Sequence, residues 1–243
     1  MAPTLIWDLP TRLFHWTLAA GFAAAAAIAL GLGEHSPLFP YHAIIGLTLV
    51  VMVALRLVWG LVGTRHARFG SLVFGPRELL AYLKGAAVGG GKRYIAHNPA
   101  SAYAIVAMLA LLVALAVTGV MLGKGMEGVK DVHEWCAYAM LAVVGVHILG
   151  IIAHTVRHRE NITASMIHGR RFASPTDGIA SARPIDAALY LAITGAWAFG
   201  LVRQYNPSTQ TTTLPVLGTA LQLGEAEDER KHEGHDARKD HDD

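Results

Sequence analysis

The stretch His133-Glu-Trp-Cys-Ala-Tyr-Ala-Met-Leu-Ala-Val-Val-Gly-Val-His147 begins and ends on an imidazole within an apolar run. Fourteen residues make four α-helical turns less about 40°, so both histidines share one face, about 21 Å apart along the axis. The run extends from 132 to 156, more than the roughly 20 residues needed to cross about 30 Å of hydrocarbon. Ionisable residues inside such a segment are costly and mark function, and two on one face mark two depths at which something is held.

Outward from this segment, three more runs have membrane-spanning length: 13–32, 41–62 and 100–122. A fifth, 185–202, is shorter and carries Asp186 near its start. The chain has 243 residues, of which 53% are hydrophobic and only 16% charged, with a mean hydropathy of +0.39. That balance excludes an ordinary soluble domain, and a net charge of +2 gives no general attraction to nucleic acid. The single cysteine, Cys136, lies in the fourth run and reads as a small buried thiol. The first run is too long for the apolar core of a signal peptide, and Arg12 makes a weak basic flank.

Lys and Arg set the orientation. Residues 33–40 contain neither and the short loop before the fourth run has Lys124 and Lys130, whereas 63–98 contain Arg65, Arg68, Arg77, Lys84, Lys92 and Arg93, and Arg157, Arg159, Arg170 and Arg171 follow the fourth run. The N-terminus is therefore expected in the cytoplasm. Pro76-Arg-Glu-Leu-Leu-Ala-Tyr-Leu-Lys84 has the spacing of a short helix lying in the membrane interface. Asn98 reads as an N-cap with Pro99 at the first helical position. Three parts are expected: a transmembrane domain over 1–172, a linker with the fifth span over 173–204, and a polar, disordered tail over 205–243. The tail's His232, His235 and His241 are read as solvated.

Low-spin haem b takes an imidazole on each side of its iron. His42 opens the second span on the side where His133 opens the fourth, and His15 lies toward the side that His147 approaches. The expected pairs are His42 with His133 and His15 with His147, serving two haems. Gly46, Gly145 and Thr118-Gly119 are small enough to admit a flat macrocycle, and equally suit helix packing. His154 shares the His147 face, but a 147/154 pair would set two irons only about 10 Å apart. His154 and His158 are instead candidates for a quinone or proton-entry site. Arg12, Arg68 and His97 are candidates to neutralise haem propionates, with positive-inside topology the competing reading for the arginines.

Several motifs carry a further resemblance. They are Trp7-Asp-Leu-Pro-Thr-Arg-Leu-Phe-His-Trp16, Tyr41-His-Ala-Ile-Ile-Gly46, Phe74-Gly-Pro-Arg-Glu-Leu-Leu-Ala-Tyr-Leu83 and His97-Asn-Pro99. Thr118-Gly119 and the His133-to-His147 spacing ending in His158-Arg-Glu-Asn161 complete the set. Over residues 5–172 the chain resembles the prokaryotic cytochrome b561 and Ni/Fe-hydrogenase b-type cytochrome family. The resemblance implies an all-α four-helix transmembrane haem-binding bundle, with ligands from the first, second and fourth helices at His15, His42, His133 and His147. It also implies electron exchange between the quinone pool and a periplasmic or membrane-attached redox protein: a c-type cytochrome, hydrogenase or dehydrogenase subunit. The expected location is the bacterial inner membrane. Rival readings are a self-contained superoxide:quinone-type oxidoreductase, and a haem-free anchor or transporter using its histidines as proton relays.

Overall fold

In a computed structural model, residues 2–88, 90 and 92–224 are described. Five helices among them are long and apolar enough to cross a membrane. They are α1 (Leu9–Leu32), α2 (Phe39–Val62), α4 (Pro99–Gly123), α5 (Lys130–His158) and α7 (Pro184–Gln204). The protein is an all-α, multi-spanning membrane bundle. The short helices α3 (Pro76–Ala87) and α6 (Ile162–His168) lie between spans. Two small antiparallel ladders complete the fold: β1 (Ala2–Leu5) with β2 (Arg170–Ala173), and β3 (Thr211–Thr213) with β4 (Ala220–Gln222).

Local chemistry sets the helix boundaries. Asp8 caps α1 by accepting the Thr11 N–H at 2.8 Å, and Pro10 follows in the first turn. Asn98 caps α4 by accepting from Ser101 N at 2.8 Å, while Ser101 Oγ accepts the Asn98 N–H at 3.0 Å. Pro99 is the first residue of α4, as the sequence predicts. α3 has no buried residue and leaves Leu80 and Leu83 exposed, which suits a helix at the membrane interface.

α1 packs on α2 and α4 on α5, the two pairs meet along α2 and α4, and α7 covers α1 and α2. The shared core includes Phe14, Met52, Val53, Leu109, Leu112, Met140 and Tyr190. α1 and α5 are not closely packed against each other, though Phe14 and Met140 from the two helices share the core. One end of the bundle, the N side, gathers the start of α1, the end of α2 and the end of α5. There β1 pairs with β2, Trp59 Nε1 donates to Asp8 at 3.2 Å, and Arg157 donates to Ala86 O at 2.5 Å. At the far side Lys130 pairs with Glu34 at 2.7 Å.

Residues 205–224, expected within the polar tail, instead form the β3–β4 hairpin seated on the far side. Leu214, Leu221 and Leu223 are buried against Ile44, Leu47 and Leu201, and Thr212 Oγ1 donates to Leu201 O at 2.8 Å. Burial of these leucines on α2 and α7 outweighs the polarity of the residues between them. The rest of that tail, 225–243, lies outside the described residues.

Candidate functional site

At the far side the first turns of α2 and α5 bring His42 and His133 together, one ring edge-on to the other. Their ring centroids are 6.4 Å apart and their planes cross at 78°. His42 Nδ1 lies 2.9 Å from Ala25 O, and because a carbonyl only accepts, that nitrogen carries the proton. His133 Nδ1 lies 2.8 Å from Thr118 Oγ1, whose own hydrogen goes to Ala114 O at 2.8 Å. His133 Nδ1–H is therefore also the donor. Both rings present Nε2 as a lone pair, with the other nitrogen fixed as metal-ligating histidines are usually fixed. Phe39 stacks on His42 at 5.4 Å, and a Cβ at Gly119 would stand 3.4 Å from His133 Cε1. One turn along α2 from His42, Gly46 faces open space.

Toward the N side, α1 carries His15 and α5 carries His147, and the two lie within electrostatic reach of each other. His15 Nδ1 is buried with no hydrogen-bond partner among the described residues, and Trp16 stands edge-on to the ring at 4.9 Å. His154, two turns further along α5, lies 3.9 Å from the Glu160 carboxylate. Burial pushes the Glu160 carboxyl up, but hydrogen bonds and charge from Arg171 and Arg93 outweigh it and hold the group below the usual carboxylate range. The His158 side chain lies outside the described residues.

The three residues expected at propionates are not gathered in one place. Arg12 donates to Ile167 O, and its buried Nε has no partner among the described residues. Arg68 and His97 line a cavity of about 620 Å³ beyond the end of α2. His97 meets Trp7 edge-on at 5.0 Å, and burial, with help from the charges of Arg56 and His66, pushes its imidazole down to about 4.

Sequence reasoning passed over Arg56. It is buried in α2, donates to Ala67 O at 3.0 Å and lies against the rings of Phe14 and Phe69 at 5.9 and 5.5 Å. Its Nη1 is buried without a partner among the described residues. The signal was an arginine inside a span, which is costly unless it has a task.

Two axial imidazoles on one iron, each bonded at about 2 Å, have ring centroids about 6 Å apart. The His42–His133 separation fits that requirement, and on each ring Nδ1 is the nitrogen already engaged. Among the described residues no three His, Cys, Asp or Glu side chains converge as a metal site. An iron carried in a porphyrin asks the protein for only its axial ligands.

The fold and its facing imidazoles define a multi-spanning membrane protein with histidines paired between helices. The model of the prokaryotic cytochrome b561 family matches residues 6–169, and the chain belongs to that family, as a membrane-embedded cytochrome-type electron-transfer protein. It is similar to the probable Ni/Fe-hydrogenase B-type cytochrome subunit of Bradyrhizobium diazoefficiens, 26% identical over 70% of this chain and 86% of the relative. The subunits of the same description from Rhizobium leguminosarum bv. viciae and Cupriavidus necator are 26% and 24% identical, over 68% and 69% of this chain and 87% and 86% of their own lengths. No solved structure matches the chain.

Proposed function

We propose that this chain is a dihaem b-type cytochrome that carries electrons across the membrane between a redox partner subunit and the quinone pool. The His42–His133 pair carries the reading: two rings at axial spacing, each with Nδ1 engaged and Nε2 available. His15 and His147 supply the second pair, on neighbouring helices that bring the two within electrostatic reach. Bound there, haem supplies a one-electron couple whose potential responds to ligands, burial and nearby charge.

The chain's own residues then have defined tasks. Ala25 O and Thr118 Oγ1 fix the tautomers of His42 and His133. Arg56 and Arg12, each with a buried nitrogen that has no partner among the described residues, are the cations we assign to propionates. His154 beside Glu160 is placed at a quinone or proton-entry site on the N side, which the basic loops assign to the cytoplasm. The redox partner is assigned by what the similar chains are called: B-type cytochrome subunits of Ni/Fe-hydrogenase.

The test is a haem-to-protein ratio with reduced-minus-oxidised spectra for the wild type and for His15→Ala, His42→Ala, His133→Ala and His147→Ala. Wild type should carry two haems b, and each variant should lose one while still inserting in the membrane. Unchanged haem content in all four variants would overturn the assignment.

A further inference from the structure

The cavity beyond α2 has a second compartment. Its polar part, about 620 Å³, is lined by Arg65, His66, Arg68, Phe69, Ser71 and His97 among others. Beside it runs a groove of about 380 Å³ walled entirely by apolar side chains, from Leu57 on α2 to Leu109 and Val113 on α4. Phe69 lines both spaces and so forms their junction. Phe69 reaches this position because Gly60 lets it lie across α2; a Cβ there would stand 2.3 Å from the ring.

The two compartments are ordered as a membrane is ordered. The polar one lies at residues 65–71, just past the last turn of α2, at the water-facing end of the bundle. The groove's wall on α4 begins at Val106, seven residues from the helix start, or about 10 Å into the bundle. It also lies away from His133. Leu109 precedes Thr118 by nine residues, which is half a turn in net rotation, so it lies on the face of α4 opposite the one that meets His133. Leu57, Val106 and Val113 on the groove's walls are exposed from the protein, as lipid-contacting residues are.

Charge selects the occupant. Two arginines and two histidines line the polar compartment, and among the described residues no carboxylate lines either space. Arg65 spends one nitrogen on Thr176 O at 3.2 Å, and Arg68 is exposed at the rim. A neutral quinone ring has no need of two guanidinium groups, whereas a phosphodiester does. We infer that this paired cavity and groove bind one anionic phospholipid, with its phosphate between Arg65 and Arg68 and an acyl chain along Leu57, Leu109 and Val113. Basic pockets between membrane helices are known seats for such headgroups. Arg68 then serves the lipid, and the cofactor reading above does not depend on it.

Native mass spectrometry of the full-length, haem-loaded protein tests the inference, with dioleoylphosphatidylglycerol against dioleoylphosphatidylcholine. Wild type should retain the anionic lipid about tenfold better. Arg65→Gln with Arg68→Gln should abolish that preference at unchanged haem absorbance, and the double Lys variant should keep most of it. Ala110→Phe, which fills the groove, should weaken retention of both lipids. The inference is overturned if the double Gln variant keeps the preference, or if it loses haem, since the cavity would then hold a propionate. Displacement of bound lipid by decylubiquinone would likewise overturn it, making the groove a quinone channel.

Discussion

Arg56 follows His42 on α2 by the same fourteen residues that separate His133 from His147 on α5. α2 and α5 run in the same direction, from the far side to the N side, and their first histidines face each other at 6.4 Å. Equal steps of about 21 Å along both helices bring Arg56 to the depth of His147. Its guanidinium also touches Phe14, the neighbour of His15. A buried cation therefore stands at the level of the second histidine pair.

A positive charge at that depth would favour the reduced state of the haem proposed for His15 and His147. Arg56→Gln should lower the midpoint potential of one haem and leave the other unchanged in a redox titration followed at the α-band. Arg56→Lys should fall between. Equal shifts of both potentials would place the arginine elsewhere in the circuit.

Thr118 holds His133 through the Nδ1 proton, away from the nitrogen proposed to meet the iron. Thr118→Val removes the acceptor that holds the Nδ1 proton, and such partners typically contribute roughly 10–100-fold to ligand-site affinity. The variant should keep its fold and N-side haem but lose the far-side haem faster on dilution into haem-scavenging apoprotein. Thr118→Ser should restore retention. Equal loss rates in wild type and Thr118→Val would remove this role.

Asp8 joins two spans at the N side. It is buried and accepts from Thr11 N at 2.8 Å, Thr64 Oγ1 at 2.5 Å and Trp59 Nε1 at 3.2 Å. Asp8→Ala leaves these donors without their acceptor, and each such loss costs about 1–3 kcal/mol. Thermal unfolding in detergent should show a destabilisation of roughly 3 kcal/mol. An unshifted transition would mean that water replaces the carboxylate.

His97 gives the protein an acid-sensitive step. Its pKa is depressed from 6.5 to about 4 in the folded chain. Between those values the unfolded state takes up a proton that the folded state does not, so stability falls as pH is lowered from 6.5 toward 4 and does not fall further on this account below that. The unfolding midpoint of wild type should drop across that window, and His97→Gln should flatten the drop. An unchanged slope in the variant would assign the effect to other groups.

The spans were legible because each is a long apolar run, and their ends because Asn98, Pro99 and Pro10 carry recognisable cap chemistry. The His42–His133 meeting was legible from depth alone. Arg56 escaped because one cation barely moves the average of a 24-residue apolar helix. The hairpin escaped for a different reason: strands of three residues are too short to show a period, and what holds Leu214 and Leu221 is contact with α2 and α7. The β1–β2 ladder joins Leu5 to Arg170, a pairing that four-residue segments so far apart in the chain cannot announce.

That ladder has a mechanical consequence. By tying the chain ahead of α1 to the chain beyond α5, it yokes the N-side ends of the two helices that carry His15 and His147, so that neither can tilt away without breaking a strand pairing.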